Sequence, residues 1–178
     1  MSVAIVFETH SVSTDNELGI ATGWLDGWLS ERGRRLAQEL GERRRTDDIA
    51  AIFTSDLRRA VETAEIAFGE SGLPIHRDPR LRECNYGVLN GKPVSEIAAE
   101  RARRIDEPFP YGESYRQVVD RTRGFLDDVL PAFDDAQIVV IGHSATRWAL
   151  DHLLSGVALE DLVDAPFDWR EGWTYRFA

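Results

Sequence analysis

The sequence predicts an α/β protein: a three-layer α/β/α sandwich with a mostly parallel central sheet and helices on both faces. Two observations predict it. Short apolar, β-branched runs alternate with segments whose apolar residues recur at helical spacing, the order expected of strands and crossover helices. Two of those runs, Val3-Ala4-Ile5-Val6-Phe7 and Gln137-Ile138-Val139-Val140-Ile141, are each soon followed by a histidine, His10 and His143. Ligands meet such sheets at the carboxyl ends of the strands, so both imidazoles are expected at one edge. The 178 residues contain no internal repeat, linker or low-complexity segment, and 1–178 reads as a single domain able to bury a continuous core.

The elements follow in order. After the first strand, Ser11 to Asp26 is rich in Ser, Thr, Gly and Asp and is expected to be a functional loop. Ser30 is a candidate N-cap for a helix carrying Leu36, Ala37 and Leu40. Ile49 to Thr54 predicts a second strand, and Ser55 a cap for a helix with Leu57, Ala60, Val61, Ala64, Ala67 and Phe68 on one stripe. Leu73 to His76 predicts a third strand, followed by an irregular stretch from Leu81 to Gly87. Pro93 opens a helix expected to reach about Arg104, and Asp106 to Gly112 is a loop. From Ser114, the spacing of Tyr115, Val118, Val119, Thr122, Leu126, Val129, Leu130 and Phe133 is that of an amphipathic helix. Ala145 to Leu154, apolar nearly all round, predicts a buried helix. The end reads as a hairpin, with Phe167 to Trp169 paired to Trp173 to Phe177 across Arg170-Glu171-Gly172.

Composition excludes several function classes. A net charge of −10 argues against a nucleic-acid partner, so an anionic ligand needs a locally positive pocket. No apolar run reaches membrane-spanning length, and the first one leads into Glu8 rather than a cleavage site, so a cytoplasmic protein with no membrane partner is expected. One cysteine, Cys84, allows no internal disulfide, and four scattered histidines show no metal-ligand spacing. Oligomeric state is open.

The motifs His10 … Asn16, Ser55-Asp56-Leu57-Arg58-Arg59-Ala60, Leu81-Arg82-Glu83 … Tyr86-Gly87, Gly112-Glu113-Ser114 and Gly142-His143 occur in an order that resembles the histidine phosphatase superfamily, which includes the phosphoglycerate mutases. The resemblance covers nearly the whole chain and implies a phosphoglycerate mutase-like fold and a small phosphorylated substrate, with no cofactor. By that resemblance His10 is the nucleophile, forming a phosphohistidine. Arg59 clamps the phosphate, and Glu83 is the general acid and then the base. His143 donates to the phosphoryl oxygens. Asn16 and the backbone N–H of Ser144 are further phosphate donors.

One motif departs from the family. Its Arg-His-Gly is Thr9-His10-Ser11 here, so Thr9 occupies a phosphate-binding position without a charged fork. Glu8 is expected on the opposite face of the strand from Thr9. Arg147, four residues beyond His143, is the candidate substitute clamp. The expected function is a phosphoric monoester hydrolase. The alternative is a phosphate-ligand binding or regulatory domain of the same fold with little or no turnover.

Overall fold

The computed structural model describes residues 2–177. A five-stranded sheet runs β1 (Val3–Thr9), β3 (Ala51–Thr54), β4 (Ile75–Arg77), β6 (Gln137–Gly142) and β7 (Trp173–Phe177) in the spatial order β4-β3-β6-β1-β7. All pairings are parallel except that of β7, which lies antiparallel on β1. A separate two-stranded ribbon joins β2 (Ile20–Ala21) to β5 (Lys92–Pro93).

Helices cover both faces because the strands are apolar on both sides. Along β6, Ile138 and Val140 face one layer while Val139 and Ile141 face the other, all fully buried. On one face α2 (Glu31–Arg44) and α3 (Arg58–Phe68) contribute Leu40, Ala60, Ala64 and Phe68. On the other, α5 (Tyr115–Val129) and α6 (Ser144–Ser155) pack with Phe7, Phe53, Phe125 and Leu150. A third cluster joins Tyr86, Phe109, Tyr115 and Trp148 to Ile97 of α4 (Val94–Glu100) and to Leu159 and Leu162 of α7 (Leu159–Val163). The mostly parallel three-layer arrangement is the one the alternating pattern predicts.

Several local expectations differ. The final hairpin does not form: Phe167 to Trp169 is exposed, non-strand chain, and β7 instead completes the edge of β1. There Trp173 and Tyr175 turn inward, the former 6.0 Å from Phe7, which rewards pairing with β1 over pairing with its own loop. The Ser11–Asp26 loop contains a short helix, α1 (Thr14–Leu18), closed by a reciprocal capping box between Ser13 and Asn16. Ser55 is not an N-cap; Leu57 occupies that position. The helix expected from Pro93 to Arg104 ends at Glu100 and resumes as one 3₁₀ turn at Arg103–Ile105. Among the described residues, no helix is long and apolar enough to cross a membrane.

Strand alternation sends Glu8 toward α2, as expected. Its carboxylate, 2% exposed, accepts from Arg43 at 3.1 Å and from Arg44 at 2.8 and 3.0 Å. Arg44 also donates to the Glu171 carbonyl at 2.7 Å, tying β1 and α2 to the chain before β7. Glu8→Ala leaves both guanidinium groups without this partner and is expected to destabilise the fold by about 3 kcal/mol. Urea unfolding measures it; a loss under about 0.5 kcal/mol would contradict the role.

Candidate functional site

The site begins with the register of β1 and β6. Thr9 stands opposite Gly142, and the His10 N–H donates to the Gly142 carbonyl at 2.9 Å. The two strands end level, and their next residues carry the imidazoles, with ring centroids 5.0 Å apart. Both line a cleft of about 420 Å³ at the carboxyl edge of the sheet, together with Arg59 and Glu83.

Each ring is fixed by a partner that determines which nitrogen faces the cleft. His10 Nδ1 lies 2.7 Å from the Ser11 carbonyl. A carbonyl only accepts, so Nδ1 carries the proton and Nε2 keeps the free lone pair. Ser11 is itself held, its N–H donating to Thr63 Oγ1 at 2.9 Å and its hydroxyl to the Gly33 carbonyl at 2.6 Å. His143 Nε2 lies 2.9 Å from the Ser55 hydroxyl, which accepts from the Leu57 N–H at 3.2 Å. Ser55 thus holds the ring by its Nε2 edge. The other ring nitrogen, Nδ1, is buried without a hydrogen-bond partner among the described residues.

Arg59 is 3% exposed and donates through one terminal nitrogen to the Gly23 carbonyl at 2.9 Å. Its other terminal nitrogen, Nη1, is buried and unpartnered. Gly23 is required at this contact: its φ is +56°, and a side chain would collide with Asn90 and Tyr86. Glu83, 8% exposed, accepts from the N–H groups of Cys84 at 2.8 Å and Ala145 at 3.3 Å. Its own carbonyl is gripped by Trp24 at 2.7 Å and Arg121 at 2.9 Å. The second bond joins the acid to α5, and the Ala145 bond joins it to the N-terminal turn of α6.

Burial sets the protonation states. It drives the His10 pKa down from 6.5 to about 3, reinforced by the Arg59 charge against the Ser11 hydrogen bond. His143 is also lowered, by burial first and then by Arg59, His10 and Arg121. Burial raises the Glu83 carboxyl against the opposing pull of the Cys84 N–H and Arg59. Two neutral imidazoles, one buried cation and an acid inclined to keep its proton therefore meet in one cleft, an arrangement suited to general acid chemistry on an anion.

The remaining sequence candidates divide. Thr9 and Ser144 line the cleft, Ser144 as the first residue of α6. Asn16 stands exposed at the rim with its amide oxygen committed to the Ser13 N–H at 2.9 Å, which leaves its Nδ2 as the donor free for a ligand. Arg147 is not brought to the cleft, and the expectation that it substitutes for the missing arginine is corrected. Its guanidinium pairs with Asp151 at 3.0 Å and lies 5.1 Å from the Trp173 ring centroid. Position 143 has extended backbone, φ −128° and ψ 176°, so counting one helical turn from it does not bring Arg147 to the same face. Sequence reasoning missed the supporting roles of Ser55, Thr63, Trp24 and Arg121, and the placement of Arg101 in the cleft wall. Ser55 is within the quoted motif, but its partner lies 88 residues away. Among the described residues, no group of His, Cys, Asp and Glu is arranged to hold a metal ion.

Residues 5–169 match the histidine phosphatase superfamily (branch 1). Phosphoserine phosphatase 1 of Hydrogenobacter thermophilus is 32% identical over 166 residues, covering 88% of this chain and 78% of that protein. "Probable phosphoglycerate mutase GpmB" of Erwinia tasmaniensis is 32% identical over 143 residues, 76% of this chain; the match spans 66% of that relative's length. The solved structure of Bacillus stearothermophilus YhfR superposes with a TM-score of 0.85 at 28% identity, covering 95% of this chain and 88% of that one.

The lowered imidazole pKa values carry a stability consequence. Between about pH 6.5 and 3 the unfolded chain binds a proton at position 10 that the native site resists, and the lowered His143 acts in the same direction, so stability falls as pH falls. The expected slope from His10 is about 1 kcal/mol per pH unit below pH 6. Urea unfolding from pH 7 to 4 is expected to show a shallower decline in His10→Gln, and an unchanged decline would contradict the buried neutral state.

Proposed function

The chain belongs to the histidine phosphatase superfamily, and from that premise we propose that it is a phosphoric monoester hydrolase working through a phosphohistidine at His10. The observation carrying the reading is the convergence of two buried, neutral imidazoles in one cleft, with a lone pair at His10 Nε2, and with His143 Nδ1 and Arg59 Nη1 both unpartnered. His10 Nε2 attacks phosphorus, and the bond from phosphorus to the leaving oxygen breaks. Glu83 passes its proton to that oxygen. Water then attacks the phosphohistidine, its proton goes to the Glu83 carboxylate, and the P–N bond breaks to release inorganic phosphate. Arg59 Nη1, His143 Nδ1 and the start of α6 receive the phosphoryl oxygens as their charge redistributes.

Thr9 supports a second reading, binding with little turnover, because its hydroxyl stands where the family supplies a guanidinium. Loss of one such donor costs about 10²–10³ in rate at comparable sites. The remaining donors keep the hydrolase reading first. A phosphatase of this composition is expected to work in the cytoplasm.

The leaving group distinguishes these readings. An aryl phosphate with an acidic phenol leaves without protonation, whereas an alkyl phosphate needs the Glu83 proton. Glu83→Gln is therefore expected to lose about 10²–10⁴ in kcat/KM on an alkyl phosphate, and under about tenfold on 4-nitrophenyl phosphate. His10→Ala is expected to abolish release from both. Equal losses in Glu83→Gln would overturn the acid role. Phosphate binding by calorimetry with no release from either ester would favour the second reading.

A further inference from the structure

We propose that the cleft also hydrolyses phosphodiesters, with one ester group leaving beside Glu83 and the other, uncharged and apolar, lying past Thr9 between α2 and residues 167–171. This rests on the phosphohistidine reading and extends it from one ester class to a second.

The cleft does not end at the imidazoles. Beyond Thr9 it continues into a lobe lined by Leu36 and Leu40 of α2 and by Phe167 and Trp169. Leu36, Leu40 and Arg43 recur at helical spacing and so share one face of α2. The chain before β7 is held against that helix. Arg44 donates to the Glu171 carbonyl at 2.7 Å, and the Arg43 guanidinium carbon lies 5.8 Å from the Trp169 ring centroid. Phe167 and Trp169 are still 57% and 54% exposed, so both rings have apolar surface left for a ligand to cover. Glu39 and Glu171 also line the lobe, which selects against a charged group there.

Thr9 joins the lobe to the reaction centre. A phosphomonoester presents three unesterified oxygens and a double charge, whereas a diester presents two and a single charge. Arg59 Nη1, His143 Nδ1 and the start of α6 remain for those oxygens, while Thr9 brings neither the charge nor the bulk of an arginine. A guanidinium at position 9 would fill the way into the lobe; the short threonine leaves the imidazoles and the aromatic wall in one cavity of about 420 Å³. One residue thus withholds the donor a third oxygen needs and opens the space a second ester group needs. Water is the only co-reactant. His10 Nε2 attacks phosphorus, the bond to the leaving oxygen breaks, and Glu83 gives that oxygen its proton. The phosphohistidine keeps its second ester group. Water then attacks, its proton passes to the Glu83 carboxylate, the P–N bond breaks and a phosphomonoester departs.

The test compares phenyl 4-nitrophenyl phosphate with methyl 4-nitrophenyl phosphate and with the monoester 4-nitrophenyl phosphate. The phenyl diester is expected to exceed the methyl diester about tenfold in kcat/KM, a preference that Trp169→Ala loses. Thr9→Arg is expected to lower the ratio of diester to monoester kcat/KM by about 10² or more. Equal values for the two diesters, a ratio unmoved in Thr9→Arg, or diester hydrolysis that survives His10→Ala would overturn the inference. Release from the monoester with none from either diester would overturn it too, and leave the phosphohistidine reading standing. If no ester turns over, calorimetry at about pH 8 with diphenylphosphinate and phenylphosphonate, which have no ester bond to break, still decides. A wild-type preference for the singly charged diphenylphosphinate that Thr9→Arg reverses supports the second lobe, and no preference refutes it.

Discussion

The parallel pairing of β1 with β6 is the constraint on which the candidate site depends. A slip of one residue would move Thr9 away from Gly142, exchange the two buried faces of β1 and separate the imidazoles. The register is specified from both faces. Ile5 and Phe7 must meet the α5 and α6 layer, while Val6 must meet the layer of α2 and α3. Glu8 adds a polar lock, since only this register delivers its carboxylate to Arg43 and Arg44. The geometry at the carboxyl edge is therefore a product of core packing some distance below it.

The electrostatics follow from where those strands end. Burying two imidazoles beside an arginine favours their neutral forms, and the same burial raises the Glu83 carboxyl. Neutral histidine is the nucleophilic form, and a protonated carboxyl is the acid form, so one physical cause prepares both partners. Acid stability is what the fold gives up for it. The exchange at Thr9 removes one cation from this balance.

Much of this is legible from sequence because its causes are local. A continuous β-branched run such as Ile138 to Ile141 can only be satisfied by burial on two faces, and a histidine just beyond it falls at the ligand-facing edge. The ordered motifs likewise brought His10, Arg59, Glu83 and His143 into one candidate set. What failed depends on distant partners. Phe167 to Trp169 has the composition of a strand, yet its edge is not needed once β7 finds β1. Arg147 has the right spacing from His143, but Asp151 and the Trp173 ring hold it elsewhere. Ser55 looks like a helix cap, and only the fold reveals that it orients His143.

The central claim is that His10 Nε2 carries the phosphoryl group. The direct measurement is rapid quenching of the enzyme during turnover of an aryl phosphate at alkaline pH, where phosphohistidine survives, followed by peptide mass spectrometry. The account predicts phosphate on the peptide containing His10, at Nε2, absent in His10→Ala and absent when substrate is omitted. Turnover with an unmodified His10, or phosphate carried on His143 instead, would contradict it.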